Sequence, residues 1–124
     1  MNKIIKVYVA GAYSDNNIVG CLKNIGRGEE IASELFIKGY APFTPWHDKD
    51  FVIKKWREKM DVPMFYNYSM AWLYVSDCVL LVPNHEGLKD WNESTGTLAE
   101  IEEAKKYNIP VFETIEELEK YYAN

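Results

Sequence analysis

Ile4-Ile-Lys-Val-Tyr-Val-Ala10, followed at once by Gly11-Ala-Tyr-Ser-Asp-Asn-Asn17, is the stretch that decides the fold. Its first half is β-branched and almost continuously apolar. That is the pattern of a strand buried on both faces, as in parallel sheets covered by helices. Its second half is rich in turn formers. Leu22, Ile25, Ile31, Ala32, Leu35 and Phe36 then recur at helical spacing, and Gly39 stands where a C′ glycine would end that helix. Tyr40 to Thr44 reads as a short second strand closed by Pro45.

The alternation continues along the chain. Phe51 to Lys59 reads as a short helix, and Pro63 opens another whose Met64, Phe65, Tyr68, Ala71, Trp72 and Val75 trace one face. Asp77 ends it, and Cys78 to Val82 is the most strand-like segment of all. After the polar loop Pro83 to Glu93, a helix is expected from about Thr97 to Tyr107, ended by Asn108. Ile109 to Phe112 is a last strand, and Thr114-Ile-Glu-Glu117 is a capping box that starts a terminal helix. Strand and helix taking turns in this way predict one α/β domain over residues 1–124. It is a three-layer sandwich, flavodoxin/Rossmann-like, with a parallel sheet of four to five strands and helices on both faces. Ligands of such sheets sit at the carboxyl ends of the strands, near the point where strand order reverses. Gly11 to Asn17, Pro45 to Asp50 and Pro83 to Thr95 land there, and all three are polar.

Composition narrows the partners. The 124 residues are 48% hydrophobic, enough for a core without staples. The formal charge is −5 and no basic stripe is visible, which argues against polymeric nucleic acid. The densest basic stretch, Lys54 to Lys59, is diluted by Glu58 and reads as a solvated helix face. No apolar run approaches membrane-spanning length, and the first residues lack a signal-peptide layout. Two cysteines and two histidines are scattered without metal-ligand spacing, so neither metal nor cofactor is expected and a reducing, cytoplasmic setting is.

Chemistry concentrates in Trp91-Asn-Glu-Ser-Thr-Gly-Thr-Leu-Ala-Glu100. Ser94, Thr95, Gly96 and Thr97 lie where a helix begins, and free N–H groups with small hydroxyls favour an anion there. Two readings stand for Glu100. It completes a capping box with Thr97, or it is a carboxylate bordering the apolar face without a basic partner. The Gly11 to Asn17 loop has neither the glycine pattern of a dinucleotide fingerprint nor a P-loop lysine. It reads either as an ordinary turn or as a loop whose N–H groups and Ser14 meet an anion.

Taken together, Tyr8-Val-Ala-Gly-Ala-Tyr-Ser14, Gly39-Tyr-Ala-Pro-Phe-Thr-Pro45, Trp72-Leu-Tyr-Val-Ser-Asp77 and Ser94-x-Gly-x-x-x-Glu100 resemble the nucleoside 2-deoxyribosyltransferase superfamily. They are most similar to its small members near the nucleoside 5′-monophosphate N-glycosidases. The likeness runs over nearly the whole chain in the same order. It implies that Glu100 is a nucleophile attacking the sugar C1′ and that Tyr8 positions its carboxylate. It further implies that Ser94 and Gly96 lie near the sugar 5′ position, that Gly11 and Ser14 belong to the sugar and phosphate loop, and that Trp46 and His47 help to hold the base. The partner it implies is a small nucleoside or nucleotide, and the assembly a homo-oligomer. Such enzymes commonly carry an aspartate eight residues before the Asp77 position, where this chain has Ser69. The first loop also lacks the arginine of some monophosphate hydrolases. Asp48, Asp50 or Asp61 could replace the missing acid. Nucleoside transferases of this group run longer and bring a C-terminal carboxylate to the sugar 5′-hydroxyl, so the resemblance implies a 5′-phosphate ligand. The expected function is cleavage or transfer at the N-glycosidic bond of a (deoxy)nucleoside 5′-monophosphate. The alternative is a non-catalytic nucleotide-binding module on the same scaffold, which Ser69 favours.

Overall fold

A computed structural model describes residues 3–13, 15–89 and 91–123, with Asn92 described in its backbone alone. In chain order the elements are β1 (Lys6–Gly11), α1 (Ile18–Ile37), β2 (Ala41–Phe43), α2 (Lys49–Lys54), α3 (Val62–Leu73), β3 (Cys78–Val82), α4 (Thr95–Lys106), β4 (Val111–Phe112) and α5 (Ile115–Tyr122). Short 3-10 turns, Pro45–Asp48 and Trp91–Glu93, precede α2 and α4. The four strands form one all-parallel sheet in the order β2-β1-β3-β4. Val7 to Gly11 run in register with Cys78 to Val82, and Lys6 to Tyr8 with Ala41 to Phe43.

Alternation along the buried strands sends side chains to two separate cores. Val7 and Val9 of β1, with Cys78, Leu80 and Val82 of β3, pack beneath Ile25, Ala32 and Leu35 of α1 and Leu118 of α5. Tyr8 and Ala10, with Val79 and Leu81, face Met70 and Leu73 of α3 and Ala104 of α4. The sheet is therefore covered on both faces, as a parallel sheet requires. Among the described residues, no helix is long and apolar enough to cross a membrane.

Local chemistry sets the boundaries. Asn17 accepts the Gly20 N–H at 2.9 Å, which starts α1 earlier than the apolar spacing from Leu22 suggests. Gly39 ends it with a φ of +96°, the conformation a C′ glycine supplies. Asp61, not Pro63, caps α3, accepting from the Met64 N–H at 3.1 Å; Pro63 lies inside the first turn. Asn108, with φ at +58°, breaks the chain out of α4. The last strand is shorter than the apolar run from Ile109, since Pro110 has no N–H for a ladder; its carbonyl still accepts from Val79 at 2.9 Å.

Two expected helix faces are corrected in part. On α1 the expected Ile25, Ala32 and Leu35 are buried, but Leu22 and Phe36 are exposed. On α3, Met64 and Trp72 are exposed while Met70 and Leu73 are buried. That helix is apolar nearly all round, so spacing alone does not choose its inward stripe. The short helix expected over 51–59 covers Lys49–Lys54, continuing directly from the 3-10 turn.

Candidate functional site

Strand order reverses between β1 and β3, since the chain leaves β1 for β2 on one side and returns to β3 on the other. A cavity of about 570 Å³ opens at this end of the sheet, within the size range of small-molecule sites. Gly11 at the end of β1, the turn carrying Trp46 and Asp48, Ser69 and Met70 of α3, and the start of α4 all contribute to its wall.

Glu100 forms its floor. The side chain is 9% exposed and accepts a buried hydrogen bond from the Tyr8 hydroxyl, a residue with no exposed surface at all. Strand parity explains the meeting. Tyr8 points to the α3/α4 face, and α4 turns Glu100 back onto the strand. Burial pushes the Glu100 carboxyl up to about 7, opposed by the Tyr8 hydrogen bond, so near neutrality it is shared between acid and carboxylate. Burial, then the Glu100 charge, drives the Tyr8 phenol far above its ordinary range, which keeps the proton on the tyrosine as donor. Ser69 lines the cavity from α3, and its hydroxyl favours negative charge on the Tyr8 oxygen. Polar groups from α3, β1 and α4 thus gather at this end of the sheet.

The capping-box reading of Glu100 does not hold. The helix begins two residues earlier than expected, and Ser94 is its cap, accepting from the Thr97 N–H at 3.3 Å and the Thr97 hydroxyl at 3.0 Å. Glu100 therefore lies in the second turn, out of reach of the cap, and is committed to Tyr8. The Thr95 and Gly96 N–H groups have no partner among the described residues, and Ser94, Gly96 and Thr97 line the cavity.

Trp46 is a structural wall. It is buried, and its ring lies so close to α1 that a Cβ on Gly28 would come within 2.2 Å of it. The Gly11 backbone is equally tight, since a Cβ there would stand 2.8 Å from the Val82 carbonyl oxygen. His47 is not brought into the cavity. Its ring is exposed, packs edge-on to Phe51 and lies 3.9 Å from Asp50. Adjacent residues of a 3-10 turn point in different directions, and Trp46 takes the inward one. Ser14 lies outside the described residues. Glu100, Gly11, Trp46, Ser69, Ser94 and Gly96 converge on the cavity with Tyr8 beneath it.

Of the three aspartates that could replace the missing acid, Asp48 alone lines the cavity, and burial raises its carboxyl above the ordinary range. Several contributors were not visible in the sequence, Lys49 on the cavity wall among them. Asn24, only 3% exposed, ties two loops together. Its amide N–H donates to the Tyr13 carbonyl at 3.2 Å and its oxygen accepts the His85 N–H at 2.9 Å. Asp15 reinforces the clasp, pairing with His85 Nε2 at 3.0 Å, and that hydrogen bond holds its carboxyl below the usual range. Asp15, His85 and Glu86 bring one donor atom each within 4.8 Å of one another, the single such metal-compatible group among the described residues. Sequence spacing hides it because Asp15 and His85 are 70 residues apart. None of the three lines the cavity, and the Asp15–His85 contact already accounts for their approach.

A buried carboxylate on the floor of a switch-point cavity, held by a phenol that stays protonated, can stabilise or trap a developing cation above it. The helix start beside it offers two N–H groups and a hydroxyl to an anion. Compared with family models, with curated proteins and with solved structures, the chain matches none.

Proposed function

We propose that this chain breaks or exchanges the N-glycosidic bond of a (deoxy)nucleoside 5′-monophosphate, with Glu100 as the carboxylate that attacks the sugar. The observation that carries this reading is the buried Tyr8–Glu100 hydrogen bond at the floor of the cavity. Breaking a glycosidic bond builds positive charge on the sugar ring, and a carboxylate beneath C1′ stabilises it and closes a glycosyl-enzyme ester. Tyr8 fixes the direction of that carboxylate. The sugar 5′-phosphate is bound by the Ser94 hydroxyl and the Thr95 and Gly96 N–H groups at the start of α4. Lys49 is the cation nearest to hand on the cavity wall; Arg27 does not line it. The base lies against Trp46 and the apolar wall of Ile18, Leu22 and Phe65. Exposed Ile53 and Val62 at the cavity rim support a homo-oligomer that covers them.

A second reading keeps the ligand and drops the reaction. Ser69 lines the cavity at a position where similar enzymes carry an aspartate, which favours a module that senses a nucleotide without cleaving it. Incubation of the pure protein with a panel of nucleosides and their 5′-monophosphates separates the two. Free base released from the monophosphates supports the enzyme. Tight binding with no base released supports the sensor and overturns the enzyme.

A further inference from the structure

We propose that Asp48 is the acid that protonates the departing base. The inference rests on the N-glycosidic reading above and supplies the proton donor that Ser69 cannot. Among the three aspartates between β2 and α3, geometry leaves one. Asp61 is spent on the cap of α3, its Oδ1 accepting from the Met64 N–H at 3.1 Å. Asp50 lies outside the cavity, half-exposed, 3.9 Å from His47 and 4.0 Å from Lys49. Asp48 lines the cavity wall together with Glu100 and Ser69. Though it sits at the N-cap position of α2, its side chain makes no capping hydrogen bond.

Asp48 ends the 3-10 turn whose Trp46 is buried in the core beside Gly28, which anchors that turn at the cavity wall. Its charge reaches the Tyr8 phenol beneath the cavity and the Tyr13 phenol on its wall, and Glu100 and Asp48 line the same cavity from α4 and from the turn before α2. Partial burial favours its protonated form, with Lys49 and His47 opposing. A carboxyl on each side of a sugar is the arrangement that glycosidic cleavage uses.

A Glu100 carboxylate oxygen bonds to C1′ as the C1′–N bond breaks, and the electron pair of that bond goes to the base nitrogen. The same base accepts the Asp48 proton and leaves neutral. Water then attacks C1′, its proton passes to the Asp48 carboxylate, and the ester bond to Glu100 breaks, restoring both groups. The competent form carries the proton on Asp48 and the charge on Glu100. Tyr8 favours that form through its hydrogen bond, and the deeper burial of Glu100 opposes it.

The test compares two leaving groups on the same sugar 5-phosphate: a natural base, which needs a proton, and 4-nitrophenolate, which does not. Asp48→Asn is expected to slow first-turnover base release by about 100-fold or more, the usual worth of general acid catalysis, and to leave the first-turnover burst of nitrophenolate within about threefold, because with that leaving group only the later water step uses Asp48. Glu100→Gln is expected to abolish both. In the wild type, base release should fall on the alkaline side while nitrophenolate release does not, a readout that needs no variant to fold. Unchanged base release in Asp48→Asn, an equal loss of both first-turnover rates, or matching alkaline limbs would overturn the role of Asp48. Full activity in Glu100→Gln would overturn the nucleophile instead, leaving the Asp48 comparison to stand on its own. A wild type that releases neither group overturns both.

Discussion

Tyr8 and Glu100 lie 92 residues apart in sequence and share a single buried hydrogen bond, the tyrosine donating and the carboxylate accepting. Strand parity aims one and the helix start at Ser94 aims the other.

Its first consequence concerns stability and needs no substrate. Glu100 has a folded-state pKa of about 7 against an ordinary value of 4.5. A carboxyl whose pKa is raised by folding stabilises the fold fully below its unfolded value and loses that contribution as pH rises through the folded one. The chain should therefore lose stability between these two pH values as Glu100 is forced to ionise in its buried site. Glu100→Gln, which cannot ionise, should be more stable than the wild type at about pH 8, by roughly 1–3 kcal/mol, with the gap closing towards about pH 5. Thermal unfolding of both proteins across that range measures it. An equal gap at every pH would show that Glu100 ionises freely.

Tyr8→Phe removes the donor and leaves the ring. Glu100 then loses the interaction that favours its carboxylate, and its pKa should climb further above 7. Activity that depends on ionised Glu100 should shift its rising limb to higher pH by about one unit and drop at neutrality by about tenfold or more. An unchanged limb in a pH–rate profile would mean that Tyr8 is only core.

Gly28→Ala tests the wall. Its new Cβ would meet the Trp46 ring at 2.2 Å, so the indole must move. Overpacking of this kind costs about 1–3 kcal/mol. Because Trp46 lines the cavity, ligand affinity should fall with it. Chemical denaturation and calorimetric titration of the variant read the two effects separately, and normal values for both would place Trp46 in a looser pocket than described.

Phosphate recognition has its own test. A dianion gains more from the start of α4 than a hydroxyl does, about 0.3–1 kcal/mol from the helix dipole alone, with charge-assisted hydrogen bonds in addition. The 5′-monophosphate should bind more tightly than its nucleoside, and Ser94→Ala should narrow the difference while costing about 1 kcal/mol of stability through the lost cap. Equal or tighter binding of the nucleoside would move the reading towards a nucleoside transferase.

How much could be read beforehand varies with the physics of each segment. Cys78 to Val82 is apolar at every position and came out strand for strand, because a fully buried parallel strand leaves no other pattern. Thr114 was equally legible, since its cap is local; its hydroxyl accepts the Glu117 N–H at 3.1 Å. Helix α3 was not, because an apolar helix carries no stripe to orient it. Glu100 was ambiguous for a related reason. Its local spacing fits a capping box, and only the position of Ser94, together with a residue from β1, decides the matter. Asn24 was invisible, being a polar residue mid-helix whose partners, Tyr13 and His85, come from two loops brought together only by the sheet. Asp48 could not be told from Asp50 and Asp61 until the turn around Trp46 was folded.

The central claim is that the Glu100 carboxylate attacks the sugar. The most direct measurement is the intact mass of the protein after exposure to a nucleoside 5′-monophosphate fluorinated at the sugar 2′ position, a change that slows release of the glycosyl ester, followed by peptide mapping. The account predicts an added mass equal to the sugar phosphate, located on the peptide carrying Glu100 and missing from Glu100→Gln. Base release from the unmodified monophosphate that persists in Glu100→Gln, with no adduct on the wild type, would contradict it.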